Sequence, residues 1–251
     1  MATPQEKLAE SLEALRTLQR KGTVAIRSRD LSRTHRERLV KNGFLQEVMK
    51  GWYIPADSRA EAGDSTSWYA SFWDFSAAYL KERFGADWCL APEQSLSLHA
   101  GNRTVPTMLH VRAAKGGNKL TQLLYGTSLM DARYPLPDDA QIVKFHDLRL
   151  YSVPAALITC TAAFFRQAPT DVRAAMATIK DASDVLALLL AGGHSTIAGR
   201  LAGAFRNVGQ TRIADDILKT MTTAGYTIKE TDPFEDAADA AVIRRDASPY
   251  V

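Results

Sequence analysis

Thr23–Pro55 reads TVAIRSRDLSRTHRERLVKNGFLQEVMKGWYIP, and the order of patterns within it decides the fold of the amino-terminal part. A short strand ending near Ile26 precedes a basic helix, and a two-stranded hairpin turning at Met49-Lys50-Gly51 follows it. Strand, helix and hairpin in that order make a winged helix-turn-helix. Within the helix, Leu39 and Val40 are the strongest apolar positions. Ser32, His35, Arg36 and Gly43 fall on the same side at spacings of three or four. The opposite side then carries Arg33, Thr34, Glu37, Arg38 and Lys41, mostly long polar side chains that reach phosphates and base edges in a major groove. Asn42-Gly43 stops the helix, since both residues tolerate the left-handed conformation of a C-cap. Gly51 suits the positive φ of a tight turn and leaves Lys50 exposed at the wing tip.

Charge marks the same place. From Arg20 to Lys50 nine Lys/Arg stand against three Asp/Glu, whereas the whole chain of 251 residues carries a net charge of only +3. The remainder is therefore slightly acidic. A cationic end on such a protein is what binding a polyanion needs, because each Lys or Arg placed on a phosphate releases condensed counterions. The residues expected to meet DNA are Arg29, Arg33, Thr34, Arg36, Arg38, Lys41 and Lys50. Arg33, Thr34, Arg38 and Lys41 are expected at base edges, with Arg29 and Lys50 on the backbone. The bland alternative is a solvated helix face; fold order, charge clustering and the wing together favour double-stranded DNA.

The organisation expected along the chain is α+β throughout. An amphipathic helix over about Gln5–Arg20 and the winged helix fill residues 1–56, and the polar stretch Asp57–Thr66 reads as a linker. Residues 57–153 form a small α+β domain. It opens on a helix whose Trp68, Phe72, Phe75 and Tyr79 recur at four, three and four, a spacing that core packing explains better than base stacking. Strands are expected at Trp88–Ala91, Met108–Ala113, Leu120–Tyr125, Ile142–Phe145 and Leu148–Val153. Residues 154–227 are nearly all helix: Pro154–Gln167, Thr170–Ala191, Ser195–Asn207 and Gln210–Ala224, with Thr170 and Ser195 as N-caps. The tail at 228–251 is polar, and its last residues look cut rather than finished. No apolar run approaches the ~20 residues of a membrane span. Cys89 and Cys160 sit in apolar settings and read as buried free thiols of a reducing cytoplasm.

These residues carry a resemblance. The run RLVKNGFLQEVMKGWYIP (Arg38–Pro55) resembles the winged helix of AbiEi-type antitoxins. PEQSLSLHAG (Pro92–Gly101), YGTSLMD (Tyr125–Asp131), LRLYSVPAALI (Leu148–Ile158) and DASDVLALLLAGGHSTIAGRLAGAFRN (Asp181–Asn207) resemble the region that precedes the catalytic domain in some bacterial Fic-family proteins. Together they span nearly the whole chain. The resemblance implies an AbiEi-like regulatory or antitoxin module, acting on its own promoter and on a toxin protein or a Fic catalytic domain. The sequence departs from the pattern twice. Ser28–Leu31 leaves room for at most one turn of the motif's first helix, and the Fic catalytic motif, His-Pro-Phe with a following Gly-Asn-Gly-Arg, is absent.

The groupings that suggest catalysis have plainer readings. Gly192-Gly193-His194-Ser195-Thr196 lacks the spacing and the lysine of a phosphate loop and reads as a helix C-cap followed by an N-cap. Glu93 and His99, six apart on one short helix, do not share a face. Thr231–Glu235 has the outline of a Fic inhibitory helix, but Pro233 breaks a helix there and Asp236 stands where Gly or Asn belongs. With no nucleophile–base set, no CxxC and no His pair at helical spacing, neither an enzyme nor a metal or cofactor is expected. The expectation is a DNA-binding transcriptional autoregulator and antitoxin-like module. The alternative is a protein-interaction module that restrains a toxin or a tethered Fic domain, its winged helix purely structural. The small residues Ala198, Gly199, Ala202 and Gly203 fit either internal packing or a partner surface.

Overall fold

The structure, a computed structural model, describes residues 3–61 and 63–235. Its fold is α+β, and its contacts divide the chain into two compact units. The first comprises the residues up to Leu90, Thr104–Leu136 and Lys144–Arg149. The second comprises Ala91–Arg103, Pro137–Val143 and the chain from Leu150 onward. Both units are discontinuous, so the expected boundaries at 56 and 153 do not coincide with them.

The first unit begins with α1 (Pro4–Arg20). Thr3 and Glu6 form a reciprocal capping box: the Thr3 hydroxyl accepts the Glu6 amide at 3.2 Å, and the Glu6 carboxylate accepts the Thr3 amide at 2.7 Å. Then come β1 (Ile26–Arg27), α2 (Arg33–Lys41), β2 (Leu45–Met49) and β3 (Trp52–Pro55). The three strands make an antiparallel sheet ordered β1-β3-β2, which is the expected winged helix. Leu15, Ile26, Leu39, Leu45 and Tyr53, one from each element, form its core with Leu31 of the turn before α2. Between β1 and α2 the chain makes a turn and no helix. The Asp30 amide donates to Arg27 O at 2.9 Å, while the Asp30 carboxylate accepts the Arg27 amide at 2.8 Å.

The rest of this unit is built on α3 (Thr66–Phe84), whose Trp68, Phe72, Phe75 and Tyr79 are all buried, as their spacing predicts. β4 (Trp88–Leu90) follows, then α4 (Pro92–His99), which belongs to the second unit. β5 (Met108–Ala113), β6 (Lys119–Gln122) and β7 (Ser128–Arg133) complete a sheet ordered β4-β5-β7-β6, with β5 and β7 parallel. β7 is the strand that the sequence reading lacks. Its inward alternation passes through Asp131, which is fully buried and held by Arg83 at 2.7 Å and by the Gly117 amide at 2.6 Å. A satisfied carboxylate at a core position erases the apolar alternation by which a strand is recognised. β8 (Ile142–Phe145) and β9 (Leu148–Tyr151) then form a hairpin.

The second unit is helical: α4, α5 (Val153–Thr159), α6 (Ala162–Gln167), α7 (Pro169–Met176), α8 (Ser183–Gly192), α9 (Ser195–Asn207) and α10 (Thr211–Thr223). Two helices expected to be continuous are broken. Cys160 is extended, and the Thr161 amide after it donates to the Glu93 carboxylate at 3.0 Å, ending α5. The run Thr170–Ala191 parts at Ala177–Ala182, where Asp181 accepts the Ser183 amide at 2.8 Å. Pro169 occupies the first turn of α7, so Thr170 lies inside the helix and is not its cap. Ser195 is likewise the first helical residue of α9, preceded by His194 at the N-cap.

Residues 228–232 lie along α9. Thr231 N–H donates to Gly199 O at 3.2 Å, and a Cβ on Gly203 would stand 2.5 Å from the Thr231 carbonyl carbon. Ala198, Gly199, Ala202 and Gly203 are buried. The small residues therefore serve internal packing. The Thr231–Glu235 stretch is non-helical, with Phe234 edge-on to Phe165 at 5.5 Å and under the Arg173 guanidinium at 4.1 Å. Asp236 and the tail beyond it lie outside the described residues.

Candidate nucleic-acid interface

α2 is short and basic, so its seat in the core rests on few residues. Leu39 is fully buried and anchors it. Ser32 caps it, its hydroxyl accepting the His35 amide at 3.2 Å. At its other end Asn42 is the C-cap and Gly43 has φ +74°, as Asn-Gly predicts.

Two flanks of α2 are tied into the fold. On the α1 side, Arg38 donates to Lys7 O and, at 2.9 Å, to the Ser11 hydroxyl, which also lies 2.9 Å from His35 Nδ1. On the wing side, Arg36 donates to Ser28 O at 2.8 Å and lies over the Tyr53 ring at 5.7 Å. Arg38 and Arg36 thus brace α2 against α1 and the wing. Arg29, in the turn before α2, is held at 2.8 Å by Glu82 of α3, which also pairs with Arg27.

What remains outward is a ridge of Arg33, Thr34, Glu37, Val40 and Lys41, all exposed. Arg33 and Glu37 form an i,i+4 ion pair at 2.6 Å, and the guanidinium holds the Glu37 carboxyl below its ordinary range. The side chains of Thr34, Lys41 and Lys50 make no hydrogen bond or ion pair among the described residues. Grooves run along both flanks of the ridge. One, of about 620 Å³, lies against α1 and is lined by Lys7, Thr34, Arg38 and Lys41. The other, of about 320 Å³, lies against the wing and is lined by Arg36, Val40, Glu47 and Tyr53.

Val40 is a correction. The sequence placed it beside Leu39 on the buried side, yet it is 42% exposed while Leu39 is 0%. Adjacent helical residues point about 100° apart, and on α2, where Leu39 is the buried residue, that turn carries Val40 out to solvent. Val40 offers a methyl surface in the middle of a polar ridge, suited to a thymine methyl group in a major groove. An apolar side chain unclaimed by the one buried helix stripe was the signal for it.

The wing is placed as expected. β2 and β3 slip register between Glu47 and Met49, a bulge that adds twist to the hairpin. Gly51 has φ +83°; its amide donates to Glu47 at 3.3 Å, and its carbonyl accepts Ser28 N–H at 2.9 Å. These two bonds fix the turn against the start of the α2 approach and leave Lys50 exposed beside it. Of the seven residues expected at DNA, the structure gathers Arg33, Thr34 and Lys41 on one ridge and sets Lys50 on the wing. Arg29, Arg36 and Arg38 hold internal contacts.

Comparison with protein-family models gives no match, and comparison with curated proteins gives none either. Among solved structures, the Rv2827c protein from Mycobacterium tuberculosis is similar. It superposes with a TM-score of 0.52 at 15% identity, over 84% of this chain and 80% of that one. At that identity the likeness is one of fold. No helix among the described residues is long and apolar enough to cross a membrane.

Proposed function

We propose that this chain is a double-stranded DNA-binding transcriptional autoregulator and an AbiEi-like antitoxin module, cytoplasmic and without catalysis of its own. The observation that carries the reading is the outward ridge of α2. Arg33, Thr34, Val40 and Lys41 stand clear of the core beside a wing whose tip is Lys50, within a β1-β3-β2 winged helix. Inserted in a major groove, such a ridge offers a guanidinium for guanine, a carboxylate for cytosine N4 and a methyl surface for thymine. Lys50 on the wing supplies charge for phosphates. The resemblance of Arg38–Pro55 to AbiEi-type antitoxins adds the second role, restraint of a toxin protein or a Fic catalytic domain.

The test is a fluorescence-anisotropy titration of duplex DNA from the chain's own promoter, at two salt concentrations. Binding should weaken steeply with salt, and Lys50→Ala should weaken all sequences alike. Absent or salt-independent binding overturns the reading. One observation favours a second reading, a protein-interaction module with a structural winged helix. Arg29, Arg36 and Arg38 all hold contacts within the fold, which leaves fewer cations for DNA. The same titration separates the two.

A further inference from the structure

A second cleft of the first unit lies away from the outward ridge of α2. It measures about 810 Å³, within the ~300–1,000 Å³ of small-molecule sites. Its walls come from the end of α1, from β1 and β3, from the carboxy-terminal half of α3 and from the β8–β9 turn. Leu18, Ala25, Ala78, Trp52 and Trp88 give it an apolar, aromatic lining. Trp52 is half-buried and held edge-on by Phe75 and Tyr79 at 5.9 and 5.5 Å, with the Arg27 guanidinium over its ring at 6.0 Å, so the ring is fixed in place and a ligand meets it beside Arg27. Trp88 is buried, and its indole N–H has no acceptor among the described residues. A buried donor left unpaired is disfavoured.

Charge narrows the class of ligand. Arg27, Lys81, Lys144 and Arg149 line the cleft with three carboxylates, Asp30, Glu82 and Asp147. Two of those carboxylates, Asp30 and Glu82, are already engaged by Arg27. The ammonium groups of Lys81 and Lys144, on different walls, have no hydrogen bond or ion pair among the described residues. Two available cations beside an aromatic platform select a flat, hydrophobic body bearing a negative group.

We propose that this cleft is a binding site for a small planar aromatic carboxylate. The aromatic body packs against Trp52 beside the Arg27 guanidinium, and the carboxylate meets Lys81 and Lys144. The site stands apart from the ridge of α2 and does not depend on DNA binding.

The tryptophans supply the test. The chain has four, and Trp68 and Trp73 do not line the cleft. The probe is 2-naphthoate, titrated into the nitrogen-15-labelled full chain while the four indole N–H signals are followed by NMR. The signals of Trp52 and Trp88 should shift saturably, and those of Trp68 and Trp73 should stay. Lys81→Glu with Lys144→Glu should weaken binding about tenfold or more, and uncharged 2-naphthamide should bind weaker than the acid by a similar factor. Both lysines are exposed, and Ala86→Trp, also at an exposed lining position, should block the cleft while the fold stands. Equal shifts at all four indoles, no saturable shift, equal binding of the amide, or no effect of these variants overturns the proposal.

Discussion

Replacing Gly203 by Ala sets two effects against each other. By helix propensity alone, Ala inside α9 gains about 0.5–1 kcal/mol over Gly. Packing opposes this. The new methyl would press on the Thr231 carbonyl, 2.5 Å from its carbon and 2.9 Å from Asp232 N, where ordinary contact begins near 3.4 Å. Both neighbours are backbone, so no side chain can swing aside; either α9 or residues 228–232 must move. Overpacking of this kind costs about 1–3 kcal/mol, and the rigid neighbours place it in the upper part of that range. The net loss is about 1–2 kcal/mol, a fall in melting temperature of about 2–8 °C for a protein of this size. Gly192→Ala is the control, because the atoms nearest its methyl belong to the imidazole of His194, which can rotate away. Differential scanning calorimetry of the three proteins decides it. A higher midpoint for Gly203→Ala, as propensity alone requires, would refute the seating of residues 228–232 on α9.

Glu82→Gln releases Arg27 and Arg29 from their shared carboxylate. If Arg29 then reaches a phosphate, DNA affinity should rise and the slope of log K against log salt should steepen by about 0.9, read by anisotropy. Val40→Ser should leave the melting temperature nearly unchanged, since an exposed site costs within about 0.5 kcal/mol, while altering the preference among duplexes in a competition assay. Burial pushes the Cys160 thiol up from 9.0 to about 12, against the lesser pull of Arg200. The folded chain therefore holds this proton more tightly than the unfolded one. Its stabilising contribution is complete below pH 9.0 and is lost as pH rises toward about 12. A thiol reagent at pH 8 should label Cys160 only on unfolding, and urea midpoints should fall through the alkaline window.

Local chemistry wrote much of this protein into its sequence. Gly43 and Gly51 take a positive φ that few other residues accept, so the end of α2 and the turn of the wing could be read directly. The four, three, four spacing of Trp68, Phe72, Phe75 and Tyr79 fixes one buried face of α3 without reference to its neighbour. Tertiary contacts decided what such patterns leave open. Arg36 and Arg38 are as basic as Lys41, and only the Ser28 carbonyl and the Lys7–Ser11 turn of α1, distant in sequence, make them braces. β7 was hidden because Arg83 and Gly117, remote along the chain, satisfy a buried Asp131. The small face of α9 took its meaning from residues 228–232, since a glycine permits close approach without saying what approaches. Short-range rules set where elements begin, end and turn a buried face. Which polar side chains remain available for function depends on the partners that folding brings to them from elsewhere in the chain.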